Sequence, residues 1–421
     1  MHRRVLVLCL GLAALGGACR RASEPSNRAP SAPANPPGTP APPTPAAPAP
    51  SGATEALPLG DAVSAAPPGA RVSAPRLAVS ASGEPWVAWL EAQDVRSSRW
   101  RRAAWEPSAP ANAARGRAEE PLELTLQQSG DPVLAWVERN AQDRPELHVA
   151  TRGELAWSAL GGALNVPAPG RAVRHLALAT AADGTVVAWS ETAMEPRGDL
   201  RALRWDGARW LPLGPPSLLE GVVVVTSLAL TTLGDGSLFL AWTERVPGTP
   251  PRLQARRRPP GGSAWEPVPT AGAPPVDGDT RTLSLAPSAD GGAILGCNGN
   301  AGLSPVARWT PGASSWTSLA LPDPRLAGAG GALGPLLAGR GDGALALVWR
   351  GVGAPLGQRL AGATFNRGAW RALSAPLDAV DGAAAEARVS LGPREDLFAA
   401  WLETVGDRRR VRASRLPLPM Q

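Results

Sequence analysis

The sequence predicts an all-β fold, a seven-bladed β-propeller of four-stranded antiparallel blades, and three repeated features predict it. The first is an Ala-Trp-x-Glu stretch: Ala88-Trp89-Leu90-Glu91, Ala135-Trp136-Val137-Glu138, Ala188-Trp189-Ser190-Glu191, Ala241-Trp242-Thr243-Glu244 and Ala400-Trp401-Leu402-Glu403. Degenerate copies at Gly296-Cys297-Asn298 and Trp349-Arg350-Gly351 fill the gap, with Gly296 taken as the fifth Trp position. The interval is roughly 50 residues, the size of a propeller blade. The second is a turn seven or so residues upstream, Asp-Gly at Asp183-Gly184, Asp235-Gly236, Asp290-Gly291 and Asp342-Gly343, with variants at Ser82-Gly83 and Gly130-Asp131. Asp-Gly between apolar runs is a strong hairpin signal, because both residues tolerate positive φ. The third is a second Trp downstream, at Trp105, Trp157, Trp210, Trp265, Trp316 and Trp370, marking a fourth strand.

Composition agrees with this reading. Gly and Pro, 47 each in 421 residues, imply many turns, and 44% apolar content supplies a core. The net charge of +6 comes from arginine alone, in a scattered pattern that argues against a nucleic-acid footprint. The two runs, Arg256-Arg257-Arg258 and Arg408-Arg409-Arg410, read as solvated loops.

Taken in order, residues 1–18 read as a secretory signal: Arg3-Arg4, an apolar run from Val5 to Leu15, then small residues up to Cys19. The run is too short to span a bilayer as a helix. The segment resembles a bacterial lipoprotein signal, which implies lipidation of Cys19, although Gly16 stands in the slot where that pattern prefers leucine. Ordinary cleavage and free secretion is the alternative. Residues 19–53 carry eleven prolines between 22 and 50 and read as a disordered Pro/Ala stalk. Of the three cysteines only Cys297 remains in the ring, so no disulfide is expected within it.

Residues 54–416 form the ring and 417–421 a tail. The third repeat shows the pattern: a first strand over His175 to Ala179, a second over Thr185 to Glu191, a third over Leu200 to Trp205 and a fourth over Arg209 to Leu213. In the second strand, period-two alternation places Val187, Trp189 and Glu191 on one face and Val186 and Ala188 on the other. Both faces are apolar, so the Trp of one blade is expected to pack over the Ala of its neighbour. The seventh unit runs out at its third strand, Arg410 to Leu416. Ala56-Leu57-Pro58-Leu59-Gly60 matches Trp210-Leu211-Pro212-Leu213-Gly214 and is expected to supply the missing fourth strand. Such closure removes open sheet edges. Tight turns then share one face of the ring. Connections between second and third strands, such as Ala92 to Ser97 and Thr192 to Asp199, share the other with the inter-blade segments, such as Pro267 to Thr280, and make it the candidate binding face.

Glu91, Glu138, Glu191, Glu244 and Glu403 end their strands towards that face, where a partial ring of carboxylates could bind a cation or sugar hydroxyls. The alternative is a cross-strand pair with a third-strand arginine, for which Arg99, Arg204 and Arg412 are placed. Trp100, Trp205 and Trp309 could stack on sugars or simply pair across their hairpins. His148 and His175 sit in strands and read as packed. No zinc spacing, no nucleophile elbow and no phosphate loop is present, so no metal and no cofactor is expected.

The repeated hairpin with its downstream Trp resembles the broad group of bacterial β-propellers described as sialidase-like, kelch-like or fucose-lectin-like, several of them repeat lipoproteins. Sialidases of that group use a tyrosine nucleophile, and this chain has no tyrosine. Ala182-Asp183-Gly184-Thr185 is superficially similar to an Asp-box but lies between the first two strands and lacks its Ser/Thr start. The WD dipeptide and the kelch glycine doublet are also missing. The expectation is an exported, lipid-anchored, monomeric and non-catalytic module that binds a protein of the cell envelope through its long-loop face. A lectin with inter-blade pockets is the alternative, and a glycoside-cleaving enzyme the third. Gly296-Cys297-Asn298 and Arg350-Gly351 break the glutamate ring and mark where a specific site could lie.

Overall fold

In a computed structural model, the chain forms seven four-stranded antiparallel sheets, each a meander of consecutive strands. The structure describes residues 55–418 apart from 65, 166–170, 193–197, 217–223, 247, 277–281, 298–305, 321–332, 351–358, 367, 379–383 and 395. The signal segment, Cys19 and the stalk lie outside the described residues. Blades 1 to 6 occupy 72–107, 118–159, 172–212, 224–267, 283–318 and 333–372. Blade 7 takes three strands from 384–416, and its fourth is Leu57–Pro58, paired with the last strand through Leu57↔Arg415 and Pro58↔Ser414. Val63 and Leu59 extend that seam by donating to the carbonyls of Val411 and Ala413. The third strand of this blade begins at Arg408, two residues earlier than the sequence suggests.

The Trp/Ala wedge exists and has a direction. Trp189 shares a core cluster with Ala135 of blade 2, Trp242 with Ala188 of blade 3, Trp136 with Ala88 of blade 1, and Trp89 with Ala400 of blade 7. Each blade therefore leans its Trp over the preceding blade. The alternation of the second strand explains this: Val187 and Trp189 belong to one cluster, Val186 and Ala188 to the next. The fifth copy corrects the sequence reading, because Ala293, Leu295 and Cys297 are the residues that pack against Phe239 and Ala241 of blade 4. Cys297 thus holds the Trp position, and Gly296 the Ala position facing Leu337 and Pro335 of blade 6. Phe239, whose ring centroid lies 5.5 Å from that of Trp309, fills part of the same seam.

A second set of tryptophans ties the blades from outside. The fourth-strand indole N–H groups of Trp105, Trp157, Trp210 and Trp316 donate to the carbonyls of Leu59, Ala109, Leu160 and Pro269, each in the segment after the preceding blade. Trp100 and Trp205 pair with Trp105 and Trp210 across their hairpins at centroid distances of 5.3 and 5.4 Å. Those two pairings match expectation, whereas Trp309 packs on Phe239 instead.

The tight-turn face is as expected, with Gly83, Gly130, Gly236, Gly291 and Gly343 all at positive φ. On the opposite face the second-to-third connections are not uniformly long. In blade 1 the third strand starts at Asp94, so Ala92 and Gln93 alone make the turn, at φ 50° and 62°. Blade 7 turns on Gly406 and Asp407, while blade 2 uses Asn140 to Arg144.

Candidate functional site

The five repeated glutamates are built into the sheets. Glu138, Glu191, Glu244 and Glu403 are 7%, 2%, 2% and 1% exposed, so they do not form a ring open to solvent; Glu91 is half-buried. Residues i and i+2 of a strand share a face, and that places each carboxylate beside the indole it follows. Trp89, Trp136, Trp189 and Trp242 donate their Nε1–H to Glu91, Glu138, Glu191 and Glu244 at 2.9, 3.1, 2.8 and 2.8 Å. Further partners engage four of the five carboxylates, although the Oε1 atom of Glu403 is buried without one. Glu138 accepts the Ala114 N–H, Glu191 pairs with Arg171 at 3.3 Å, Glu244 accepts Gln254, and Glu403 is clamped by Arg410 and Arg412.

The expected arginine partners hold for Arg412 alone. Arg99 and Arg204 instead pair with Glu84 and Asp183, acidic residues of the first hairpin turn. Arg257–Asp235 at 2.6 Å and Arg415–Asp396 at 2.8 Å repeat this arrangement. The cause is register: the third-strand arginine lies opposite the first residues of the second strand, as Arg204 does with Val186, and reaches the turn before it. Burial pushes the Asp235 carboxyl up, but the Ser237 N–H, Arg257 and the Ser237 hydroxyl together hold it below the ordinary 3.8. The Asp of each Asp-Gly turn therefore anchors the hairpin as well as permitting it.

His148 stacks on Trp136 at a centroid distance of 5.9 Å. His175 lines the central channel, donates to the Val225 carbonyl, and has its pKa pulled below 6.5, first by burial and then, against that hydrogen bond, by Arg174. Among the described residues no group of three His, Cys, Asp or Glu side chains converges as a metal ion would require.

Two cavities among the described residues bear on function. One, of about 480 Å³, lies between blades 1 and 2 at the tight-turn end and not at the long-loop end. Arg99 and Arg152 both sit 5.6 Å from the ring centroid of Trp86 at its floor, with Arg101, Glu106 and Glu154 around them. The other is the central channel, about 510 Å³, lined by the first strands of the blades. One residue per blade meets there at the level of the small residue of the wedge: Arg76, Glu123, Ala177, Ala229, Ser284, Leu336 and Arg388 pair with Ala88, Ala135, Ala188, Ala241, Gly296, Val348 and Ala400. Among these seven, charge is confined to blades 7, 1 and 2, although Arg174 of blade 3 also lines the channel. Arg76 bonds Glu123 at 3.0 Å. Arg388 donates to the Ala387 carbonyl at 2.8 Å and makes no ion pair among the described residues. Its pKa is pushed down to about 10 by removal from water and next by the like charge of Arg76, against the pull of Glu123, Glu386 and Glu120.

Sequence reading missed this ring of seven. The signal available was positional: each member stands eleven or twelve residues upstream of the wedge's small residue. Six of the seven first strands carry a register shift just before that level, as at Ser73/Arg76 and Ala385/Arg388, which turns the chain at the channel mouth.

No family model and no curated protein matches the chain. Solved structures do. The polysaccharide lyase Uly1 aligns over 86% of this chain and 91% of its own at 10% identity, with a TM-score of 0.52. A protein of unknown function from Dyadobacter fermentans aligns over 84% and 96% at 13% identity and a TM-score of 0.48. The Trypanosoma rangeli sialidase aligns over 83% of this chain at 9% identity and 0.48, and the match spans 60% of the sialidase. At these identities the likeness is one of fold.

Proposed function

We propose that the chain is a non-catalytic binding module, exported and held at a membrane through lipidated Cys19, that docks a protein partner on the face carrying the second-to-third connections. The observation that carries this reading is the contrast between the two faces. The first-to-second turns repeat one tight geometry in blades 1, 2, 4, 5 and 6, with a two-residue turn in blade 3, whereas the opposite connections differ from blade to blade, from Ala92-Gln93 in blade 1 to Asn140 to Arg144 in blade 2. Variable connections on a rigid scaffold are where binding specificity is written. The repeated glutamates support it, since each of the five already gives at least one oxygen to the sheets.

The test compares two variants by crosslinking in envelope preparations. One replaces Asn140 to Arg144 and Val246 to Pro251 with two-residue turns; the other changes only the tips of the tight turns. Selective loss of a crosslinked partner from the first supports the proposal, and equal capture by both overturns it. Accumulation of unprocessed precursor under globomycin tests Cys19 separately.

A second reading, a glycan-binding module, is favoured by the cavity between blades 1 and 2, where guanidinium donors and the carboxylates of Glu106 and Glu154 surround one space. Glycan-array binding that disappears in Arg152→Ala would replace the first reading with this one.

A further inference from the structure

We propose that the central channel is a binding site for a small oxyanion, a carboxylate, phosphate or sulfate group, held between Arg388 and Arg76. The proposal is independent of what docks on either face of the ring.

Arg388 is the feature that requires explanation. Arginine stays charged in proteins, and Arg388 is half-buried, so drawing it partly out of water without a counter-ion carries a penalty that pairing normally offsets. Elsewhere Arg410 and Arg412 clamp Glu403 and Arg257 holds Asp235, whereas half-buried Arg256 has only the Ala255 carbonyl and the face of Trp242. Among the described residues Arg388 has no ion-pair partner, and a second guanidinium stands on the adjacent blade at the same level. The carboxylates nearby favour its charge from a distance, but among the described residues none makes an ion pair with it. Glu123 is committed to Arg76, and Glu386 accepts the Ala74 N–H at 2.7 Å. Glu120 lies at the channel mouth, exposed, while Arg174 and His175 occupy the blade 3 side.

The donors left over match an oxyanion. Arg388 spends one amino group on the Ala387 carbonyl, and Arg76 spends Nε on Glu123 and one amino group on the Pro75 carbonyl. Each retains N–H groups in a planar fork, the geometry that grips two oxygens of a carboxylate, sulfate or phosphate. Across the channel Ala177, Ala229, Ser284 and Leu336 offer no competing charge. An anion between two like charges on the channel wall relieves both their repulsion and their partial desolvation.

The test is thermal unfolding of the intact ring at constant ionic strength, titrating sodium sulfate, phosphate or acetate against sodium chloride. Anions that act only by exclusion from the surface raise Tm in proportion to their concentration, whereas a site on the folded ring raises it steeply at low anion and then only logarithmically. A logarithmic rise of this kind for at least one of the three is expected in the parent. It should vanish in Arg388→Gln, and in Arg388→Lys it should need about tenfold more anion, because lysine keeps the charge without the fork. Leu336→Glu, placed on the blade next to Arg388 at the same level, should supply an internal counter-ion. That variant should lose the logarithmic response and melt higher than the parent in its absence. No logarithmic component in the folded parent, or one that survives in both Arg388→Gln and Leu336→Glu, overturns the proposal; should Arg388→Gln fail to fold, Leu336→Glu decides alone.

Discussion

At the scale of single residues, the spacing of the Trp-x-Glu motif is a hydrogen-bond rule. A buried indole N–H needs an acceptor, and the side chain two places along a strand is the nearest on the same face. Glu191→Ala should therefore cost about 1–3 kcal/mol in denaturant unfolding, since it strands the buried Trp189 N–H. Glu191→Gln, which keeps an acceptor, should lose less. His175 gives a pH signature. Its folded pKa lies below its ordinary 6.5, so the unfolded chain binds the proton more readily, and the stability His175 contributes is present above 6.5 and lost as pH falls below it. Between pH 7.5 and 5 the parent should lose more Tm than His175→Gln does; parallel profiles would refute the assignment. The motif's spacing was legible in the sequence, and its partner was not. Arg99 and Arg204 looked suitable for the glutamates, but register sends them to Glu84 and Asp183.

At the scale of the blade, packing between second strands sets the tolerances. Ala188 is fully buried under Trp242, so Ala188→Leu should overpack the seam and lower stability by about 1–3 kcal/mol in chemical denaturation. Gly184→Ala should also destabilise the hairpin, because an added Cβ would collide with the Trp205 carbonyl at φ 136°. Strand existence and order were readable because alternation and turn chemistry are local. The connection lengths were harder: Ala92 and Gln93 reach positive φ without glycine, and polar residues after them continue as a strand. The fifth wedge was misplaced by one residue for a related reason. Without its Trp the copy could be aligned only by its turn, and counting from Asp290-Gly291 leads to Cys297, not Gly296.

At the scale of the whole ring, two properties depend on residues far apart in sequence. Closure rests on Leu57–Pro58 and on Ser64, whose hydroxyl accepts the Val411 N–H at 2.9 Å. Deleting residues 54–61 should expose the last strand of blade 7, lower Tm and promote aggregation, visible by light scattering, whereas deleting 22–50 should leave Tm unchanged. The match between Ala56 to Gly60 and a fourth strand made closure legible. The charged wall of the channel was not, because it arises only when first strands from blades 7, 1 and 2 converge and no local pattern marks them.

The same seam makes the order of the blades separable from the path of the chain. Leu57 and Arg415 are neighbours across one pair of strands, so a short peptide could join that end of the chain to the other, and a tight turn such as Asp235-Gly236 could be cut to give new termini. Such a circular permutant would begin in a different blade yet assemble the same seven wedges, each Trp still leaning on the blade before it. If it melts with the parent's cooperativity, the ring is an object without a privileged starting point.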